Sequence, residues 1–335
     1  MSQLTPAVRA YINSIYPPGS LARNTGTVTW DDPARKQPVF RQVTAGYQRE
    51  VFRGMSVEAD YVRMHGDDLF LNPDLNIGTR ANTTRTGAVT RTDPFGILTP
   101  SLAPGEAAYA NTVQLRTTKY GYSNYDALNM SVEKRYSHNW SARLAYALGY
   151  SRGVTAGQGD TPQLQVGSNL HLAEYYAPAN VDRRHTLTLS GRVEIPKTHG
   201  VNVSGTLRYL SATPFTIQDQ NIDADQNGIF FDPLPAGTYN GIAAYRLHDV
   251  VTDGKRNGAR GANFMQADMR IGYRMKLGGK RTVDVFGEFF NLTNHANFTN
   301  PSGNRMNAND FLRLAGLVAT SGLPRQGQLG LRLGF

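Results

Sequence analysis

The sequence predicts an all-β chain: an antiparallel transmembrane β-barrel segment of about nine strands, partial or open, with short periplasmic turns and long extracellular loops. Three observations predict it. Nine stretches alternate apolar and polar residues with period two, short and long connections between them alternate without exception, and aromatic residues gather near strand ends on the apolar side.

Composition permits a folded chain. The 335 residues are 40% hydrophobic and 18% charged, unlike the low-hydrophobicity, high-charge signature of disorder. Uncharged apolar runs such as "LAYALGY" fall far short of the ~18 residues of a spanning helix, which excludes helical membrane spans. The absence of Cys removes disulfides, thiol catalysis and Cys-based zinc sites, and it suits an oxidising compartment. The start "MSQLTPAVRA" has no basic region, apolar core or cleavage site of an export signal, so an exported chain is expected to have further sequence upstream. The net charge of +9 is scattered over strands and loops rather than gathered in a block, which argues against nucleic acid as a partner.

Residues 1–36 are expected to form an extracellular N-terminal loop with a short helix. In "TPAVRAYINSIYPPG", Thr5 serves as N-cap, Pro6 begins the first turn, Val8, Tyr11, Ile12, Ile15 and Tyr16 share a stripe, and Pro17, Pro18 and Gly19 end it. Residues 37–335 form the barrel segment. "VTAGYQREV" and "MSVEADYVR" begin it, followed by "LNMSVEKRY", with Leu128, Met130, Val132 and Tyr136 on the apolar face. "WSARLAYALGY" continues that face with Trp140, Leu144, Tyr146, Leu148 and Tyr150. "HTLTLSGRVEI" and "VNVSGTLRY" set Leu187, Leu189, Val193, Val203, Leu207 and Tyr209 opposite Thr, Ser, Arg and Glu, and "ADMRIGYRMKL" repeats the pattern. "TVDVFGEFFNL" is ambiguous because Phe286 and Phe290 share a face with Asp284 and Glu288. "GQLGLRLGF" closes the chain with Leu329, Leu331, Leu333 and Phe335 on one parity.

Connections decide between a soluble sheet and a barrel. "FRG", "SHN", "PKTHG" and "GGK" are hairpin turns, whereas residues 67–122, 153–182, 212–262 and 294–323 are long loops. A soluble sandwich has no reason to place every long loop at one end; an outer-membrane barrel does. On this count the first and ninth strands run in the same direction and cannot pair antiparallel, which implies either a lost partner strand or a fragment of a larger barrel, and the fragment is the favoured expectation. Tyr136, Trp140, Tyr150, Tyr209 and Phe335 are placed to form interfacial girdles.

Two constellations carry candidate chemistry. The loop "DQNIDADQNGIFFDP" spaces Asp219, Asn221, Asp223, Asp225 and Asn227 before Gly228, then offers Asp232, and resembles the opening of a calcium loop whose twelfth-position Glu is replaced by Leu234. A structural calcium clamp and an Asx-rich turn both fit it. The polar faces carry Arg135, Arg143, Arg184, Arg192, Arg208, Arg270, Arg274 and Arg332 with Glu133, Glu194, Asp268 and Glu288, and these are expected to face the lumen. They suit charge pairing across strands or against a lumen plug, and a passage for anionic substrates. No enzyme is expected: the seven His are dispersed, with His185 and His295 as strand-end or turn hydrogen-bonders, and no HExxH, phosphate loop or nucleophile elbow occurs.

The segments "QVTAGYQREVFRGMSVEADYVRMHGDDLFLNPDLN", "NVDRRHTLTLSGRVEIP", "FNLTNHANF" and the terminal "GLRLGF" resemble the C-terminal part of TonB-dependent outer-membrane receptors, and specifically the Oar-like group with a carboxypeptidase-regulatory-like domain. The resemblance covers about residues 37–335. It implies a plugged 22-stranded barrel that imports a nutrient or chelate, energised by the TonB complex through a region upstream of these strands. It implies also that Phe335 is part of the signal read by the barrel assembly machinery, and that outer-membrane lipid surrounds the strands. A non-transport adhesin or structural barrel acting through its long loops is the alternative, and a soluble β protein the third reading.

Overall fold

The computed structural model describes residues 27–73, 78–87, 89–91, 112–154, 175–228, 230, 232–279, 281–319 and 322–335. The helix expected in residues 5–16 lies outside the described residues. Nine long strands form one sheet: β1 (Val39–Phe52), β2 (Met55–Asp67), β3 (Tyr122–Ser137), β4 (Trp140–Gly153), β5 (His185–Glu194), β6 (Val201–Leu210), β7 (Phe264–Gly278), β8 (Arg281–Phe290) and β9 (Gln326–Gly334). They pair in sequence order, each antiparallel to the next, and a two-residue strand, Ala177–Pro178, adds to the end of β4. The sheet does not close: β1 and β9 are its edges and run in the same direction.

Register follows the alternation. Leu128 lies opposite Tyr61 and Leu148, Leu187 opposite Tyr146 and Tyr209, Val203 opposite Ile271, and Val285 opposite Tyr273 and Leu331. A slip of one residue would move this whole apolar set to the charged face. Turn chemistry fixes the hairpins. His138 and Asn139 both take positive φ (53° and 70°) between Ser137 and Trp140, as a two-residue turn matching the strand twist requires. Gly200 (φ 138°) has no room for a side chain, since a Cβ would lie 2.1 Å from the Arg274 carbonyl oxygen.

Two side chains are clarified by the register. Phe286 belongs to the charged face, where it stands between Gly272 and Gly330; a Cβ on Gly330 would meet its ring at 2.2 Å. The ring fills the space the two glycines leave, and Arg270 covers it at 3.7 Å. Tyr136 corrects the expectation. The register shifts between Lys134 and Ser137, which takes Tyr136 off the apolar face, and its hydroxyl donates to the Glu194 carboxylate.

The buried core sits in the long loops, not in the sheet. Phe215, Ile217, Leu234, Val250, Ala259, Phe311 and Leu312 pack together from the connections after β6 and β8, with Tyr239 and Leu247 against them. A smaller cluster joins Leu71 and Val154 to Tyr122, Tyr175 and Tyr176, with Tyr122 and Tyr176 stacked at 5.3 Å. Near the N-terminus, Thr27–Asp31 pairs in parallel with Thr112–Arg116 of the first long connection. The loops form a cap on the end of the sheet opposite the hairpin turns.

Candidate functional site: the charged wall and the loop cap

The polar face of the sheet is a ladder of charges and hydroxyls. One rung aligns Ser141, Arg192, Ser204, Arg270, Glu288 and Gln328. Arg270 donates to Glu288 at 3.0 Å, Arg192 to Glu194 at 2.7 Å, and Arg274 grips Asp284 with two bonds of 2.6 and 2.9 Å. Arg332 lies opposite Asp284 on β9, so that carboxylate stands between two guanidiniums. Arg143 stands across from Glu133 and Ser190, and Arg208 lies 5.5 Å over the Phe264 ring. Small side chains between the long ones leave a concavity of about 460 Å³ lined by Ser141, Arg143, Ser190, Arg192, Ser204 and Thr206. Such a surface can carry polar cargo or a polar plug, because Arg270 and Arg274 pair across strands, Arg192 pairs along its own, and guanidinium donors remain for open space.

Two of the expected lumen arginines lie at strand ends rather than along the wall. Arg135 falls in the register shift at the turn end of β3, exposed, with its backbone N–H bonded to the Gly54 carbonyl. Arg184 precedes β5. Its guanidinium pairs with Asp182 at 3.1 Å and lies 4.3 Å over Tyr150, an aromatic of the apolar face.

The acidic loop is partly assembled as expected. Asp223, Asp225 and Asp232 converge, with one carboxylate oxygen of each within 4.8 Å of the others. Asp219 instead pairs with Arg305 at 3.2 Å, Asn221 is exposed, and the Asn227 amide donates to Asp225 at 2.7 Å. Asp223 is fully buried and accepts the Nε–H of buried Arg80 at 2.7 Å, together with the backbone N–H groups of Asn227 and Gly228. Arg80 also donates to the Arg85, Gly87 and Gly228 carbonyls and lies 4.2 Å over Phe230. A guanidinium thus already balances one of the three carboxylates. Burial and the neighbouring Asp232 push Asp225 up to about 6, and burial raises Asp232 as well. These three carboxylates are the donors a hard cation would meet.

Sequence reasoning missed the latches that hold the cap on the rim. In "DRRH", buried Asp182 accepts the Ser151 N–H at 2.7 Å and bonds Arg184 and Arg260, while Arg183 donates to the Ser211 carbonyl at 2.7 Å. Arg256 donates to the carbonyls of Gly153 and Tyr175 at 2.8 and 2.9 Å, and burial lowers its pKa. In "FNLTNHANF", the amide of buried Asn297 exchanges two bonds with the backbone of Met265, at 2.8 and 3.0 Å, in place of a strand partner. Buried Asn291 spans the turn to His295 and reaches the Leu323 carbonyl at 2.9 Å. His185, by contrast, was expected as a strand-end hydrogen-bonder, and its ring meets the Tyr146 hydroxyl at 2.8 Å. The only advance signal for these roles was Asn and Asp at strand ends, where their side chains mimic backbone groups.

The opposite face is apolar and uncovered. Leu189, Val193, Ile271, Val285, Leu331 and Leu333 are all exposed, and terminal Phe335 continues their parity beyond β9. A water-facing sheet would not present this.

A family model described as "Outer membrane beta barrel domain" matches residues 3–328. Among solved structures, the outer membrane transporter YddB from Escherichia coli is similar at 12% identity and TM-score 0.50, over 93% of this chain and 34% of that one. The FrpB iron transporter from Neisseria meningitidis (F5-1 variant) matches at 12% identity and TM-score 0.44, over 93% of this chain and 34% of that one. The chain spans about a third of the length of the structures it matches. No curated protein matches it.

Proposed function

The chain belongs to the outer membrane beta barrel domain family, and from that premise we propose that it forms the C-terminal wall of a TonB-dependent receptor of the Oar-like group, for uptake of an unidentified nutrient or chelate. The observation that carries this reading is the two-faced meander: an apolar outer face, a charged inner face, hairpins at one end and a folded cap at the other. The edges add a constraint. Because β1 and β9 run the same way, antiparallel closure takes an odd number of further strands between them. A second copy held in the same membrane orientation brings the same edges, so β9 of one would meet β1 of the other in parallel. Strands from elsewhere in a longer receptor meet the requirement.

In this reading the wall does no chemistry, and its partners are outer-membrane lipid, the assembly machinery acting on Phe335, a transported ligand, and the TonB complex through a separate region. The reading frame upstream tests it: a plug and a partner-gripping segment are expected there. A signal peptide followed directly by strands would contradict transport and leave the adhesin reading, which the independent core of the cap supports.

A further inference from the structure

We propose that the outer rim of β1–β4, on the lipid side, holds the phosphate of an outer-leaflet lipid; this rests on the outer-membrane assignment. Register places Arg41, His65, Asn124 and Arg152 on one rung of the outward face and Val43, Arg63, Asp126 and Tyr150 on the next. Below them the same face continues with Ala45, Tyr61, Leu128 and Leu148, then Tyr47, Ala59, Met130 and Tyr146. Three strand spacings of about 4.8 Å make a ledge about 14 Å wide from Arg41 to Arg152, immediately above the apolar band.

The ledge is under-neutralised. Arg63 approaches Asp126 only at 3.8 Å, and that carboxylate already accepts the Tyr61 hydroxyl at 2.7 Å. Arg41 and His65 share Asp67, at 2.7 and 2.9 Å. Among the described residues Arg152 has no ion-pair partner, and alternation along β4 sends it to the same face as Tyr150 and Leu148. Arg184 joins them by stacking on Tyr150, while its carboxylate partner Asp182 is shared with Arg260. Arg41, Arg63, Arg152 and Arg184 therefore have only Asp67, Asp126 and an Asp182 shared with Arg260 to balance them, with Arg63 and Arg152 the least satisfied.

Guanidinium forks match phosphate oxygens and stay charged at any working pH. The band beneath decides the source of the phosphate. A lipid sets its acyl chains against Tyr61, Leu128 and Leu148 and its headgroup against Arg63 and Arg152, whereas a free ion engages only the ledge. A protein partner would have to displace the lipid that this face requires.

The test uses the full chain refolded in micelles, with bound lipid counted by native mass spectrometry. The probes are a diphosphorylated glucosamine-disaccharide lipid, its dephosphorylated form, and inorganic phosphate. The expected result is about a tenfold preference for the phosphorylated lipid, abolished in the double variant Arg63→Gln, Arg152→Gln and retained in Arg63→Lys, Arg152→Lys. Arg49→Gln, on the same face at the opposite end of β1, should leave the preference intact. Equal binding of the two lipids, an undiminished preference in the double Gln variant, or displacement of the lipid by equimolar inorganic phosphate would each overturn the proposal while leaving the membrane reading standing. Binding of neither lipid would overturn both.

Discussion

In the loop cap Ile217 and Leu312 are completely buried, whereas in the sheet Leu329 and Val43 leave 90% and 66% of their surface uncovered. The cap is built like a water-soluble domain, with an apolar cluster inside and buried polar side chains such as Asp182, Asp223 and Asn297 hydrogen-bonded. The sheet has no interior of its own. Between its two edge strands the backbone is satisfied by strand pairing, its apolar side chains point away from any protein partner, and ion pairs such as Arg270–Glu288 and Arg274–Asp284 run along the other face. One chain therefore folds against two solvents, and the boundary between them is the rim where Asp182, Arg256 and Asn297 fasten one region to the other.

Substitutions can break that contrast, beginning with the cap. Ile217→Ala removes a fully buried side chain and should destabilise the cap by about 2–5 kcal/mol, whereas Leu189→Ala on the outward face should cost far less in a bilayer; chemical denaturation of both in the same lipid measures the difference. Equal costs would mean that Leu189 also packs against protein. Leu189→Arg should cost about 2–4 kcal/mol in a bilayer if β5 faces lipid near its middle, and close to nothing if that face meets water.

At the boundary, Asn297→Ala strands the Met265 N–H and carbonyl without partners. We expect about 2–4 kcal/mol from the two unsatisfied groups, with hydrogen exchange rising first at the outer end of β7. Exchange confined to the loop would show that Asn297 does not hold the strand. On the charged wall, Gly330→Ala pushes a methyl into the Phe286 ring and should cost about 1–3 kcal/mol; Phe286→Ala in the same chain should relieve the clash, and a double-mutant cycle that finds the two changes additive would deny the contact.

The smallest expected effect concerns the acidic loop. Asp225 is raised from 3.8 to about 6, so the folded loop holds a proton that the unfolded loop has released. Its contribution to stability is fully present below about pH 3.8 and is lost as pH rises through about 6. Proteolysis of residues 219–232 should accordingly quicken from pH 4 to pH 7. Calcium held by Asp223, Asp225 and Asp232 would slow cleavage at pH 7 and not at pH 4. Cleavage indifferent to calcium leaves the loop an Asx-rich turn latched by Arg80.

The sheet was legible in the sequence and the cap was not, for a physical reason. Strand periodicity is local: "HTLTLSGRVEI" shows its two faces without reference to any other segment, and "SHN" shows its turn. The cap depends on pairs such as Arg80 with Asp223, which lie 143 residues apart and carry no local pattern. The acidic loop lay between these cases. Spacing picked out Asp223, Asp225 and Asp232, which converge, together with Asp219 and Asn221, which do not, and it gave no sign of the distant Arg80 bonded to Asp223. Tyr136 was misplaced because a register shift is a property of the pair of strands rather than of either one.

The central claim is that the apolar face meets lipid and the charged face water. The chain contains no Cys, so a single introduced Cys can carry a spin label at each position of β5 in turn, with the chain in a bilayer. The account predicts oxygen accessibility peaking at Leu187, Leu189 and Val193, and accessibility to a water-soluble nickel chelate peaking out of phase at Thr188, Ser190 and Arg192. Equal access of the nickel chelate to both sets would contradict it.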